Sequence, residues 1–303
     1  MVAVTDPNEP IVALLDGTLL NPETPLLRPD DLGVLRGEGV FETTLVVDGE
    51  PRDLDEHLAR LAVSAEMTGL EVPAPDRWRR AVNALVSSWN GDRQMVMRLV
   101  ASRGPESASA PVCYVLGSRL SPVSIRQRSS GVRVLLLDRG FSAQAAKSAP
   151  WLLAGAKTLS YGVNMAALRY AAANGADDAI FVGSDGAVLE APTASVVVAG
   201  DRVLRTPPLD GILDGITVRR LFRAARAAGW RTESAVLTPD DLRSADGVWL
   251  ASSARLLAPV VAVDGVALVD HGLTPEVAAL LDGPSRHAAG IGVPVKRHDS
   301  SRQ

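Results

Sequence analysis

Pro150-Trp151-Leu152-Leu153-Ala154-Gly155-Ala156-Lys157-Thr158-Leu159-Ser160-Tyr161 is the stretch on which the reading of this chain turns. Its mark is a lysine where lysines are scarce. The chain holds three, Lys147, Lys157 and Lys296. Lys147 sits among small and polar residues and Lys296 near a charged C-terminal tail, whereas Lys157 is set among apolar and small ones. Partial desolvation disfavours an ammonium and makes the neutral, nucleophilic amine accessible near neutral pH. A lysine that binds an aldehyde as a Schiff base needs that property. Taken alone, the stretch reads more simply as a strand-end lysine with its head in water, so the rest of the chain has to decide.

Composition narrows the field. With 303 residues, 47% apolar and 22% charged, the chain is globular and long enough for two ordinary domains or one large one. A net charge of −4, a pI near 5.6 and the lack of a basic run argue against nucleic acid as a partner. Apolar runs fall far short of the roughly 20 residues that span a bilayer. Met1-Val2-Ala3-Val4-Thr5-Asp6 has no basic start leading into an apolar core, so no signal peptide is expected. The single cysteine, Cys113, excludes an intrachain disulfide, and four scattered histidines (57, 271, 287, 298) show no metal-ligand spacing. These features predict a cytoplasmic enzyme without a structural metal and without membrane contact.

Strands and helices mix in the first 118 residues. Asp16-Gly17 and Asp48-Gly49 read as hairpin turns, the second after the β-rich run Val40 to Val47. Asp55 to Leu70 reads as a helix with Leu58, Leu61, Ala62, Ala65 and Gly69 on its inner face. Trp78, Ala81, Val82, Leu85, Val86 and Trp89 mark a second helix, closed by Asn90-Gly91. Gln94 to Ser102 alternates as a strand that puts Val96, Arg98 and Val100 on one face, and Ala110 to Leu116 is a further strand. The polar stretch Ser118 to Gly131 reads as an interdomain linker. The boundaries that follow are 1–118, a linker at 119–131 and a second domain over 132–303.

Beyond the linker the sequence predicts a strand over Val132 to Leu137, a helix from about Val163 to Asn174-Gly175, and strands at 179–182, 188–190, 194–199 and 203–204. A helix opening at Gly215-Ile216-Thr217, a capped start at Thr238-Pro239-Asp240-Asp241, a strand over Gly247 to Ser252, a turn at Asp264-Gly265 and a helix opening at Thr274-Pro275-Glu276 complete the pattern. The last half-dozen residues are expected to fray.

If Lys157 carries an aldehyde cofactor, three further parts are required: an acid to keep a ring nitrogen protonated, donors for a phosphate, and a seat for the substrate carboxylate. Glu190 is a lone acid in apolar company, and a pyridinium would supply the positive partner that such a carboxylate lacks. The helix start at Asp214-Gly215-Ile216-Thr217 offers free N–H groups to an anion, and Ser252-Ser253 at the end of a strand offers hydroxyls. Arg60 lies off the apolar stripe of its helix, so solvent exposure is its default. Arg98 shares a face with Val96 and Val100, where a guanidinium usually finds a carboxylate or phosphate. Gly37-Glu38-Gly39 lacks the third glycine of a dinucleotide fingerprint, and no lysine stands where a phosphate loop would need it.

Arg36-Gly37-Glu38-Gly39-Val40-Phe41-Glu42-Thr43, His57-Leu58-Ala59-Arg60-Leu61, Ala156 to Tyr161, Asp185-Gly186-Ala187-Val188-Leu189-Glu190 and Gly211-Ile212-Leu213-Asp214-Gly215-Ile216-Thr217 together resemble the fold-type IV family of pyridoxal-phosphate enzymes. That family contains branched-chain and D-amino acid aminotransferases and aminodeoxychorismate lyases. The resemblance implies an α/β (α+β) chain with a small N-terminal α/β domain and a larger C-terminal domain, whose mixed β core is flanked by helices. It implies pyridoxal 5′-phosphate as cofactor, a small amino substrate and a homodimer. By position it implies Lys157 as the Schiff-base lysine, Glu190 as the partner of the ring nitrogen, and Arg60, Ile216, Thr217 and Ser253 as the phosphate grip. Tyr161 and Ser195 complete the cofactor set, and Arg98 faces the substrate carboxylate. Relatives carry asparagine where this chain has Ser195. The Lys-Thr-Leu-Ser-Tyr run and its Pro150-Trp151 approach are most similar to actinobacterial aminodeoxychorismate lyases, so the expected reaction is release of pyruvate and 4-aminobenzoate, with aminotransfer as the alternative.

Overall fold

The computed structural model describes residues 9–108 and 110–282. The N-terminal stretch read for a leader, Lys296 and the tail expected to fray lie outside them. Two sheets divide the chain. The first is built from β1 (Ile11–Leu14), β2 (Leu19–Leu20), β3 (Gly39–Val47), β4 (Glu50–Pro51), β5 (Gln94–Ser102) and β6 (Val112–Arg119), in the order β2-β1-β6-β5-β3-β4 with every pair antiparallel. Three helices accompany it: α1 (Leu32–Arg36), α2 (Leu54–Met67) and α3 (Pro75–Ser88). Asp48 and Gly49 both take positive φ, 51° and 82°, the pair of left-handed residues that a tight hairpin turn requires.

Alternation along β5 sorts its side chains. Met95, Met97, Leu99 and Ala101 join Leu58, Leu61 and Ala65 of α2 and Trp78, Ala81, Val82 and Leu85 of α3 in one core. The opposite face buries Val96 and Val100 but leaves Arg98 exposed between them. The inner face of α2 differs from the expected one. Ala62 and Gly69 are exposed, while His57 and Ser64 are buried. Apolar spacing misses such positions, because a polar side chain is buried only where a specific partner satisfies it.

The polar stretch expected to be a linker carries a nine-residue helix, α4 (Pro122–Ser130). After it come β7 (Val132–Asp138), α5 (Ala145–Ser148), a 3-10 turn at Pro150–Leu152, α6 (Gly162–Ala173), β8 (Asp178–Val182), β9 (Ser195–Gly200), β10 (Val203–Thr206), α7 (Ile216–Ala227) and β11 (Arg231–Ser234). The chain continues through α8 (Pro239–Ser244), β12 (Gly247–Ser252), β13 (Leu256–Val263), β14 (Val266–Ala267) and α9 (Thr274–Ala279). The second sheet runs β11-β10-β9-β12-β13-β7-β8, with β14 on β13. It is mixed: β10–β11, β13–β7 and β7–β8 are parallel, the rest antiparallel.

Both faces of this sheet are covered. Val196 and Val198 of β9 point into one apolar cluster and Val197 and Ala199 into another, which includes Val218 and Leu221 of α7 and Val277 of α9. A strand buried on both sides reads as a continuous apolar run, as β9 does. Residues 188–190, expected as a strand, form no ladder: Val188 bridges Val182 and its N–H donates to Leu237 O at 2.7 Å, and Phe181 N donates to Glu190 O and Leu189 N to Phe181 O, each at 2.8 Å. This loop-like geometry frees Glu190 from a pleat and lets it turn toward the centre of the molecule. Thr238 and Asp241 form the expected capping box of α8.

One ion pair crosses this framework out of water. Asp178, at the start of β8, meets Arg255, in the turn between β12 and β13, at 2.7 Å, with side chains 2% and 9% exposed. Asp178→Ala leaves a buried guanidinium uncompensated and should lower unfolding stability by about 3–5 kcal/mol, while adding Arg255→Met should recover most of it. Urea denaturation of the single and double variants measures both.

Candidate active site

The Lys157 segment lies along the free edge of β3. Phe41 N donates to Lys157 O at 3.0 Å, Leu159 N donates to Gly39 O at 2.8 Å, and Val40 and Thr158 form a bridge. Gly37 and Gly39 make this approach possible. A Cβ on Gly37 would stand 2.6 Å from Ser160 Oγ, and one on Gly39 would stand 2.6 Å from Leu159 Cδ1 and 2.5 Å from Ala101 O. The glycines once weighed as a nucleotide fingerprint are therefore packing glycines. The lysine's own N–H donates to Ser64 Oγ of α2 at 3.0 Å. Its side chain is directed by aromatics: Nζ lies 4.5 Å from the Phe41 ring centroid and donates to Tyr161 Oη at 3.2 Å. Those two rings pack edge to face at 5.1 Å.

Lys157 opens into a cavity of about 840 Å3 whose walls include Arg60, Arg98, Tyr161, Glu190, Ser195, Ile216, Thr217 and Ser253. All the residues singled out in the sequence thus border one space, which is large enough for a cofactor and a small substrate together. Glu190 Oε2 accepts from Leu213 N at 3.2 Å, and burial lifts its carboxyl to about 7 despite that bond and the charges of Lys157, Arg139 and Arg60. Ser195 lies under the start of α7, where a Cβ on Gly215 would meet its Oγ at 2.4 Å. Arg98 bonds Ser118 Oγ at 3.3 Å and faces the cavity, with no carboxylate within ion-pair distance among the described residues.

Arg60 departs from its default. Its side chain is only 10% exposed, because it lies across Glu42: Nε and Nη2 donate to the two carboxylate oxygens at 2.7 and 2.8 Å, and Nη1 donates to Asp214 O at 2.6 Å. Glu42 is fully buried. Burial pushes its carboxyl up, yet the Arg60 charge and bonds from Arg60 and His57 hold it down at about 2. His57 Nδ1 meets Glu42 Oε2 at 2.7 Å, and His57 Nε2 meets Ser253 Oγ at 3.4 Å. Glu42 and His57 were missed as site residues. Their signal was a lone acid within a β-rich run and a histidine one turn before an arginine on a helix. Arg139 was missed too. Burial lowers its pKa, its guanidinium lies 4.5 and 5.4 Å from the Phe181 and Phe141 ring centroids, and it borders the cavity near Glu190.

A primary amine, a lone acid at about 7, a helix start and a buried arginine in one cavity define a lysine-based enzyme for an aldehyde cofactor that bears a phosphate and a protonatable ring. The donor set fits pyridoxal phosphate: α7 supplies N–H groups and its positive dipole end, Ser253 a hydroxyl, and Glu190 the anion for a ring cation. Comparison with known proteins agrees. The chain belongs to the amino-transferase class IV family, whose profile matches residues 39–263. It is 44% identical over 282 residues to the bifunctional aminodeoxychorismate lyase / D-amino acid transaminase of Mycobacterium tuberculosis, covering 90% of this chain and 98% of that protein. The PLP-bound form of a hypothetical aminotransferase from M. tuberculosis superposes with a TM-score of 0.88 at 44% identity, over 90% of this chain and 97% of the other. The fold IV-transaminase CpuTA1 from Curtobacterium pusillum gives 0.85 at 41% identity over the same shares. The protein is therefore a pyridoxal-phosphate-dependent enzyme with the fold-type IV architecture.

Glu190 sets a pH dependence. The folded chain holds this proton more tightly than the unfolded chain does, so the group costs stability as pH rises from the ordinary carboxylate range through about 7. Glu190→Gln should stabilise the cofactor-free protein at pH 8 by roughly 1–3 kcal/mol, with little effect below pH 5. The same substitution should cost the loaded enzyme at least about 100-fold in kcat. Thermal melts of cofactor-free protein across pH, set beside turnover, test the two opposite signs.

Proposed function

We propose that the chain is a 4-amino-4-deoxychorismate lyase that releases pyruvate and 4-aminobenzoate, and that it works as a cytoplasmic homodimer. The observation that carries this reading is the near-complete, 44% identical match to a protein named for that activity, together with a lysine amine held between Phe41 and Tyr161 over a cavity that also contains Glu190. Among the described residues no helix is long and apolar enough to cross a membrane. Trp151, Leu152, Val34 and Leu35 are exposed and offer apolar surface to a second copy. We take the domain boundaries at 1–118 and 132–303, with α4 in the connection.

Bound in the cavity, pyridoxal phosphate supplies an aldehyde that links to an amine and a protonated ring that withdraws electrons from the neighbouring carbon. Arg60, Ser253 and the backbone N–H groups of Ile216 and Thr217 would hold its phosphate, and Glu190 would keep the ring nitrogen protonated. With the substrate's amino group on the aldehyde, the amine of Lys157 would be the base that removes the proton from the amino-bearing carbon. Tyr161 Oη, 3.2 Å from Nζ, and the Phe41 face aim that amine. Arg98 seats the substrate carboxylate. The ether bond then breaks, the enolpyruvyl group leaves and takes up a proton as pyruvate, and the ring becomes aromatic. Aromatisation makes the step downhill, and no keto acid is needed.

D-Amino acid transamination is a second reading, favoured by the second half of the M. tuberculosis relative's name. It shares the same base but must return the proton to the cofactor side and then bind a keto acid. Aminodeoxychorismate supplied alone should yield pyruvate; turnover that starts only after a keto acid is added would sink the lyase reading. Lys157→Ala should lower either activity by about 10^3-fold or more and leave the far-ultraviolet circular dichroism unchanged.

A further inference from the structure

The bonds around His57 have directions, and these directions bear on how the phosphate cradle can work. Glu42 accepts from two Arg60 nitrogens, so it is an acceptor only, and the hydrogen in its 2.7 Å contact with His57 belongs to Nδ1. If that is the ring's single proton, Nε2 is a lone-pair acceptor. The donor facing it is Ser253, 3.4 Å away. The serine's one proton then points away from the cavity, and its lone pairs point in. If the ring carries two protons, Nε2 donates to Ser253 Oγ and the hydroxyl proton is free to point into the cavity.

Only the second arrangement suits a dianion beside Ser253 and the start of α7. In the first, lone pairs face the phosphate. Turning the hydroxyl toward the phosphate without a second ring proton would strand Nε2 as an unsatisfied acceptor on a buried ring. Charge points the same way. The neighbouring cations are already met by acids: Arg60 by Glu42 of β3, Arg219 by Glu56 and Asp214, Arg220 by Asp53, and Arg223 by Glu56. These four arginines of α2 and α7 face four carboxylates, whereas a phosphomonoester carries close to two negative charges at neutral pH. His57 is the neighbouring group that can add a positive charge.

We propose that filling this cradle with a phosphomonoester dianion draws one proton onto His57, which then bridges Glu42 and Ser253 as an imidazolium. The proposal rests on the reading that a cofactor phosphate occupies the cradle. It makes cofactor retention a proton-linked event, stronger at lower pH over the range in which the phosphate is already a dianion.

The test is a 15N spectrum of histidine-labelled protein. Four histidines are present, and loss of one set of signals in His57→Gln assigns His57. Near pH 8, both ring nitrogens of His57 should show imidazolium shifts in the holoenzyme and those of the neutral Nδ1–H form after the cofactor is stripped. In parallel, the Kd of the stripped protein for pyridoxine 5′-phosphate, which cannot link to Lys157, should rise by about tenfold per pH unit above neutrality relative to its Kd for stripped His57→Gln, in which Glu190 and the ring nitrogen titrate as before. Where His57→Gln does not fold, Ser253→Ala takes its place: the imidazole signals that shift in this variant assign His57, and they should no longer respond to loading. A neutral His57 in protein whose visible absorbance shows bound cofactor overturns the proposal and leaves the cofactor reading standing. So does an imidazolium present both with and without cofactor. Protein that takes up neither cofactor nor pyridoxine 5′-phosphate overturns the cofactor reading, and this proposal falls with it.

Discussion

Everything at the centre of this molecule depends on one short antiparallel pairing, in which Lys157 to Leu159 lie against the edge of β3. It ties the segment between the 3-10 turn and α6 to the first sheet and holds Lys157 by backbone bonds, to which the Ser64 hydroxyl and the Phe41 and Tyr161 rings add side-chain contacts. Backbone pairing needs close approach, which explains two glycines in three residues at 37 and 39. It also ties Phe41 to Lys157 directly, because the residue whose N–H bonds the lysine carbonyl is the residue whose ring lies under its amine. Register and chemistry are set by the same contact. A slip of one residue would turn the amine to the opposite side of the strand.

The site's electrostatics come from treating a buried carboxylate, Glu42, and a half-buried one, Glu190, in opposite ways. Glu42 and Glu190 both pay for desolvation. Glu42 has a guanidinium across both oxygens and an imidazole at one of them, and is held at about 2. Glu190 has one backbone bond and more distant cations, and rises to about 7. Glu42 is therefore a permanent anion that orients Arg60 and His57. Glu190 is an anion in waiting, whose ionisation becomes favourable when a cation stands beside it. Such divergence between like groups is how a protein separates scaffold from reactant with a single side-chain type.

Much of this was legible in the sequence, for reasons that can be named residue by residue. The Asp48-Gly49 turn, the helix start at Gly215-Ile216 and the cap at Thr238 are local: each depends on a few neighbouring residues, so short patterns reveal them. Lys157 and Glu190 stood out because a charge among apolar neighbours is unusual wherever it falls. Local patterns fail where burial is bought by a distant partner. His57 and Ser64 look like polar residues on the wrong face of a helix until Glu42 and the Lys157 backbone are placed beside them, and Arg60 looks exposed until Glu42 is known to lie under it. The 118–131 stretch reads as polar linker because α4 buries none of its residues, which leaves no apolar stripe to betray the helix. Residues 188–190 have strand composition, but their backbone bonds, to Phe181 of β8 and to Leu237, do not continue into a ladder.

Ser64 makes one bond at the site: its hydroxyl oxygen accepts from the backbone N–H of Lys157. It lies on the same helix as His57 and Arg60, so α2 acts as a ruler between the buried Glu42–Arg60 pair and the backbone of Lys157. A rigid ruler divides the labour of change. Substitutions at Arg98, Arg139 and Trp151, which border the cavity from other elements, can reshape what it admits without altering the distance from Arg60 to Lys157. The fold can thus vary its substrates while keeping its cofactor geometry, because the parts that choose and the part that measures belong to different elements.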